Sequence, residues 1–318
     1  KSIFLTKDVI IIKKTIGIPR ALLYYYDKDL WLEFIKYLGY TPIISDYSNK
    51  KILEDGTKIA PDEACLSLKL YLGHIINLQN KCDYILVPRL YSIKKNEQVC
   101  TNFNCLYDLV NNLFDVEILN YNIDLEEKEN RLMAFLKLGE KLGASYIKSY
   151  KAYKYAEKIN LMKRRKQEQE QEEVLKSSNL KILLAGHPYN LYDELIGKSI
   201  TKYLKENNIS IIYSNKIDHL KIDNECKKLS SDIHWTHSKE VMASVNYYKD
   251  KVDGIIIISS FPCGPDSLSN ELISLKVKNI PVMTLIFEDL NSEVGVITRL
   301  ESFIDILKNL KEENRWKK

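Results

Sequence analysis

The chain has 318 residues, enough for one large domain or two ordinary ones. With 45% hydrophobic and 28% charged residues it can bury a real core, which excludes a disordered chain. Its 47 basic and 43 acidic residues leave a formal charge of +4, too balanced for a protein that binds nucleic acid.

The elements alternate along the N-terminal part. Val9–Ile12 and Thr15–Ile18 read as strand material, closed by Pro19. Ala21–Tyr40 is amphipathic and free of proline, hence a helix, with Gly39 near its end. Pro42–Ser45 is a short buried strand followed by a polar loop. Pro61-Asp62-Glu63 opens a helix through about Leu78, since proline suits a first turn and acids there favour the helix dipole. Tyr84–Val87 is a strand ended by Pro88, Leu106–Leu113 is helical and Val116–Leu119 is a strand. Strands alternating with helices imply a parallel sheet.

From about Leu125 to Ser177 strand signal is almost absent. Glu126–Leu142 and Tyr146–Lys176 read as long charged helices. Lys163-Arg164-Arg165-Lys166, followed by a Gln/Glu run, fits a solvated face with pairs at i,i+4 spacing. The first pattern then restarts: strand Lys181–Gly186, helix Glu194–Asn207, strand Ile209–Tyr213, helix Lys239–Lys249, strand Gly254–Ser259, helix Ser267–Leu275, strand Pro281–Ile286 and a closing helix Gly295–Leu310. The expected architecture is α/β, two Rossmann-like lobes with parallel sheets joined by a helical segment. Residues 1–124 form the first lobe, 125–177 the connector and 178–318 the second lobe, with a cleft at the carboxyl ends of the strands.

Six cysteines, Cys65, Cys82, Cys100, Cys105, Cys226 and Cys263, are too sparse for a disulfide scaffold and read as reduced thiols. Lys1–Ile12 lacks the apolar stretch of a secretory signal, and no run nears the roughly 18 apolar residues of a membrane span, so a cytoplasmic protein is expected. Cys65 falls in a helix first turn, Cys100 in the loop after the strand Tyr84–Val87, and Cys263 directly after the strand Gly254–Ser259. All three stand at strand carboxyl ends or helix amino ends, where the helix dipole favours thiolate over thiol. Three thiolates converging between the lobes would hold an iron–sulfur cluster and leave one iron open. The plainer reading is three small buried residues. Cys105 is a spare ligand or a helix-face residue; Cys82 and Cys226 are bland. His74 reads as structural, His187 faces the cleft, and His234 and His237 lack further ligands for zinc. Asp62 and Glu63 read as capping residues. Walker A, GxGxxG, HExxH and GxSxG patterns are absent from the sequence.

Several stretches taken together carry a resemblance: Ile16–Leu22, Asp62-Glu63-Ala64-Cys65, Val87-Pro88-Arg89, Gly186-His187-Pro188-Tyr189, Phe261–Ser267 and Thr298–Phe303. In this order they resemble the acyl-CoA dehydratase activase-related proteins, relatives of 2-hydroxyacyl-CoA dehydratase and benzoyl-CoA reductase subunits, from about residue 14 to 310. The resemblance implies a [4Fe–4S] cluster on Cys65, Cys100 and Cys263, and a separate ATP-dependent activase partner that supplies a low-potential electron. It also implies a related subunit or a homodimer. Two departures stand out: Phe287–Glu293 lacks the histidine and glycine of the family segment, and Thr101 stands where relatives commonly have proline.

The leading functional expectation is therefore an iron–sulfur protein doing reductive or dehydrating chemistry on a small molecule or acyl-CoA. Arg20, Arg89 and His187 are candidate substrate-facing groups, with fold-level hydrogen bonding as their alternative role. A non-catalytic bilobal scaffold and a two-lobed nucleotide- or sugar-binding transferase are the competing classes.

Overall fold

The computed structural model describes residues 14–288 and 293–316. The expected strand Val9–Ile12 lies outside the described residues, as do residues 289–292 of the divergent segment.

The first lobe runs β1 (Thr15–Ile18), α1 (Tyr24–Leu38), β2 (Thr41–Ile44), α2 (Lys50–Thr57), α3 (Leu66–Leu78), β3 (Tyr84–Ser92), α4 (Thr101–Leu113) and β4 (Ile118–Asp124). Two helices follow, α5 (Arg131–Lys141) and α6 (Tyr146–Leu175). The second lobe runs β5 (Lys181–Gly186), α7 (Pro188–Leu191), α8 (Lys198–Glu206), β6 (Ser210–Tyr213), α9 (Ile222–Leu229), α10 (Thr236–Tyr248), β7 (Gly254–Ser260), α11 (Gly264–Lys276), β8 (Val282–Phe287) and α12 (Glu293–Trp316). The two four-stranded sheets have the same order, β2-β1-β3-β4 and β6-β5-β7-β8, with parallel pairing throughout. This is the expected pair of α/β lobes. β7 is buried along its whole length, which explains its unbroken isoleucine run: a parallel strand covered on both faces has no polar side.

Several elements differ from the sequence reading, three of them near the site. β3 continues through Pro88 to Ser92. Beyond Ile85 it pairs only with β4, so one side of the strand is open, and a proline is tolerated there. The loop after β2 contains α2, started by Asn49, whose side chain accepts from the Ile52 amide at 3.1 Å. α4 begins at Thr101, five residues before the expected start.

α2 crosses α3 at two glycines. A Cβ on Gly56 would lie 1.9 Å from the Lys69 carbonyl oxygen, and one on Gly73 would lie 1.9 Å from that of Ile52. Only hydrogen fits at either point. The crossing turns Ile52, Leu53, Leu66 and Leu70 outward, into the same apolar cluster as Ile182, Ile256, Ile258 and Leu300 of the second lobe. The two lobes thus share a core.

α6, about 45 Å long at 1.5 Å per residue, packs its first half on α1 and its last turns on β6. Gln171, within the polar run, is buried there: its amide donates to the Tyr213 carbonyl and the Tyr248 hydroxyl, both at 3.0 Å, and accepts from the Tyr213 amide at 2.8 Å. The outer face carries the expected i,i+4 pairs Arg164–Glu168 and Lys166–Glu170. Among the described residues, no helix is long and apolar enough to cross a membrane.

Candidate functional site

Three helices from the two lobes begin with a cysteine. Cys65 is the N-cap of α3, Cys100 of α4 and Cys263 of α11, and none uses its side chain to cap. The sequence placed Cys65 inside a helix opened by Pro61; instead 61–65 form a turn closed by the Ala64 amide on the Pro61 carbonyl, and the helix starts at Leu66. The Leu66 amide crosses between the lobes to the Phe261 carbonyl at 3.0 Å, drawing the start of α3 against the loop before α11. The Asn102 amide reaches the Cys65 sulfur at 3.6 Å, tying α4 to α3.

The three thiols share one electrostatic environment. Burial raises each pKa first; Cys65 then adds to Cys100, while Asp266, Cys65 and Cys100 add to Cys263. Backbone amides at the helix starts pull the other way. Burial is the largest cause in all three, with Asp266 adding to each. Among the described residues, no group of three His, Cys, Asp or Glu is placed to hold a metal ion.

A polar shell that crosses the lobes surrounds the thiols. Ser67, two residues after Cys65, and Ser260, three before Cys263, both donate to the side-chain Oδ1 of Asn190, at 3.0 and 2.7 Å. The Asn190 amide nitrogen is buried without a partner. His187, the N-cap of α7, is 4% exposed. Its Nε2 donates to Asp266 at 2.7 Å, the Tyr26 hydroxyl lies 3.2 Å from its Nδ1, and it stacks on Tyr189. Burial alone would lower the His187 pKa and raise that of Asp266. Their mutual attraction outweighs it, leaving the imidazole raised and the carboxyl lowered. His187 therefore stands between the lobes, bridging α1 and α11.

The remaining sequence candidates lie elsewhere. Arg20 binds the Ser45 carbonyl through Nε at 3.1 Å and lies 4.0 Å above the Tyr47 ring. Arg89 pairs with Asp108 at 3.1 Å and with Asn104 at 3.3 Å on the face of α4. Cys105 bonds the Asn102 carbonyl on that helix. Cys82 packs against Gly17, and Cys226 is buried near Ser230. His74 sits between Ser45 and Ser48 at 2.9 and 3.0 Å, and burial pushes its pKa down to about 3. Ser48 continues to Asp193 of the second lobe. His234 is exposed, and His237 is buried against Tyr26 at 4.1 Å between ring centres. Asp62 and Glu63 are exposed. Sequence reasoning did not single out Asp266 or Asn190. Asp266 sits in the first turn of α11, inside a quoted motif, but its partner His187 is distant in the chain.

A cavity of about 780 Å³ lies beside this site, lined by α1, α6, α10 and the turn after β6. Tyr26 and His237 form part of its wall, and none of the cysteines lines it. A smaller pocket, about 300 Å³, has Cys263 and the serines of β7 and α11 in its lining.

The fold and site define a bilobal α/β protein with three cysteine-capped helix ends gathered between its lobes. The chain belongs to the family described as CoA enzyme activase uncharacterised domain (DUF2229), whose profile matches residues 15–217. No curated protein matches it. Among solved structures, it is similar to the SBP FpvC from Pseudomonas aeruginosa in complex with Mn2+, at 10% identity and a TM-score of 0.28 over 93% of this chain and 99% of that one, a likeness too slight to carry an argument.

Proposed function

We propose that Cys65, Cys100 and Cys263 hold a [4Fe–4S] cluster between the lobes, and that the protein serves reductive or dehydrating chemistry on an acyl-CoA or similar small molecule. An ATP-dependent activase partner supplies the electron. The observation that carries this reading is the meeting of three thiols, each at a helix amino end, from both lobes. A cluster spreads its ligands around a body larger than one ion, so its thiols need not enclose a single metal ion. The orphaned Asn190 amide nitrogen and the helix-start amides supply the hydrogen-bond donors that bound sulfur accepts. Family membership supports an acyl-CoA-related role and an enzyme partner.

When bound, the cluster would supply one-electron transfer and an open iron. The chain's own residues do the rest. His187 and Asp266 lock the first turn of α11, and with it Cys263, while Tyr26 holds the imidazole from the opposite lobe. Ser67, Asn190 and Ser260 fix the starts of α3 and the loop before α11 relative to each other.

The test is anaerobic purification and reconstitution. The expected product is brown, with broad absorption near 400 nm and about four irons and four sulfides per chain. Serine at any one of Cys65, Cys100 or Cys263 should lose the cluster, while Cys226→Ser keeps it. A colourless, iron-free chain after reconstitution overturns the reading and leaves the scaffold class.

A further inference from the structure

The 780 Å³ cavity has an unbalanced lining. Four of its carboxylates are paired with lysine or arginine, Asp27 with Arg131 at 3.3 Å, Asp29 with Lys163 at 2.7 Å, Asp223 with Lys94, and Glu97 with Lys94 and Lys239, while Glu240 faces the His219 ring at 3.5 Å. Lys28 and Lys216 are left over. Among the described residues Lys28 lies 5.6 Å from the Tyr24 ring, and Lys216 lies 4.9 Å from the Tyr213 ring with Glu170 as a more distant counter-charge; neither makes a salt bridge. Arg164 spends its Nε on Glu168, which is not part of the lining, and keeps its two terminal nitrogens. Lys216 is half-buried, and burial pulls its pKa down. An ammonium taken from water without a close counter-charge costs free energy. Two further lining residues hold buried polar atoms without partners, the Nε2 of His237 and the hydroxyl of Thr236. One side of the wall is aromatic and apolar, with Tyr26 stacked on His237 beside Tyr192, Leu90 and Ile123, and Asn160, Gln167 and Asn215 also line it.

We propose that this cavity is a binding site for an organic phosphate, a small molecule joining a dianionic phosphoryl group to a planar or apolar body. Lys28, Lys216 and the terminal nitrogens of Arg164 together offer more donors than the two oxygens of a carboxylate take up, so the three oxygens of a phosphoryl group match them better. Lysine binds phosphate as a point charge, while the free guanidinium edge of Arg164 offers paired donors. The aromatic wall takes the body of the ligand, and the volume suits one small molecule. The site contains none of the three cysteines and needs no iron, so it stands whether or not they hold a cluster.

The test is calorimetric titration of the full chain, in air and without iron, with phenyl phosphate, inorganic phosphate and benzoate. Phenyl phosphate should bind saturably at one site per chain, about tenfold tighter than either half alone. Lys216→Gln should weaken it about tenfold without lowering the thermal midpoint of the unliganded chain, because burial of this ammonium outweighs its attraction to Glu170. Arg164→Gln, a more exposed site, should also weaken it, and Lys51→Gln on α2 should not. Absence of saturable binding overturns the proposal. So does benzoate binding as tightly as phenyl phosphate, or binding that Lys216→Gln and Arg164→Gln leave unchanged.

Discussion

Cys100 and Cys263 occupy equivalent positions in the two lobes. Each caps the helix that leaves the third strand of its lobe, α4 after β3 and α11 after β7. The same correspondence matches Cys65, the N-cap of α3, with Trp235, the N-cap of α10. A repeated α/β unit thus offers four helix starts, of which three carry a thiol and the fourth an indole.

That asymmetry gives a prediction about the spare thiol. Cys105 lies within α4 and bonds its own helix, outside the set of caps. Cys105→Ser should therefore leave the iron content of the reconstituted chain unchanged, while Cys100→Ser, five residues away, removes it. Iron and sulfide assays on the two variants decide the matter.

Asn190 should matter for stability. It is fully buried and accepts from Ser67 and Ser260 at the seam between the lobes. The two hydroxyls lie 2.9 Å apart, so in Asn190→Leu one can still donate to the other and one is left short of an acceptor, and a loss of about 1–3 kcal/mol is expected. Urea denaturation measures it, and an unchanged midpoint contradicts the role given to this residue.

The α2–α3 crossing should tolerate no methyl group. Gly73→Ala drives a Cβ into the Ile52 carbonyl, and Gly56→Ala drives one into that of Lys69. Each should cost about 1–3 kcal/mol or more, since backbone rather than a flexible side chain must move. Gly264→Ala, where nothing lies within 4 Å of the added carbon, should fall within about 0.5 kcal/mol of the parent.

The Ser48 link sets two opposed pH dependences. Burial raises Asp193 from 3.8 to about 6, so its contribution is fully present below pH 3.8 and is lost as pH rises through about 6. Burial lowers His74 from 6.5 to about 3, so its contribution is present above pH 6.5 and is lost as pH falls toward 3. Between about pH 4 and 6 the two slopes oppose each other. Asp193→Asn removes one of them, and stability should then rise more steeply with pH, by up to about 3 kcal/mol across that window. Urea midpoints of the two chains at pH 4, 5 and 6 check the sign; parallel curves contradict it.

Much of the fold was legible because long apolar runs and proline stops mark parallel strands, as at β5 and β7. α2 was not legible: eight residues with adjacent Ile52 and Leu53 show no helical period, and the glycines that admit it are read only against α3. The start of α4 was missed because Cys100 is not a usual capping residue. The thiols stood out by position at strand and helix ends. Asp266, Asn190 and the leftover cations of the cavity did not, since each acquires its meaning from a partner, or the lack of one, across the lobe boundary.

The shared core also governs how this molecule can move. Swinging the lobes apart would wet Ile52, Leu53, Leu66 and Leu70 together with the isoleucines they cover, at about 1.5–3 kcal/mol for each side chain. The total approaches the stability of a whole domain. The chain is therefore no pair of jaws: whatever reaches the cavity or the thiols must do so without the lobes swinging apart.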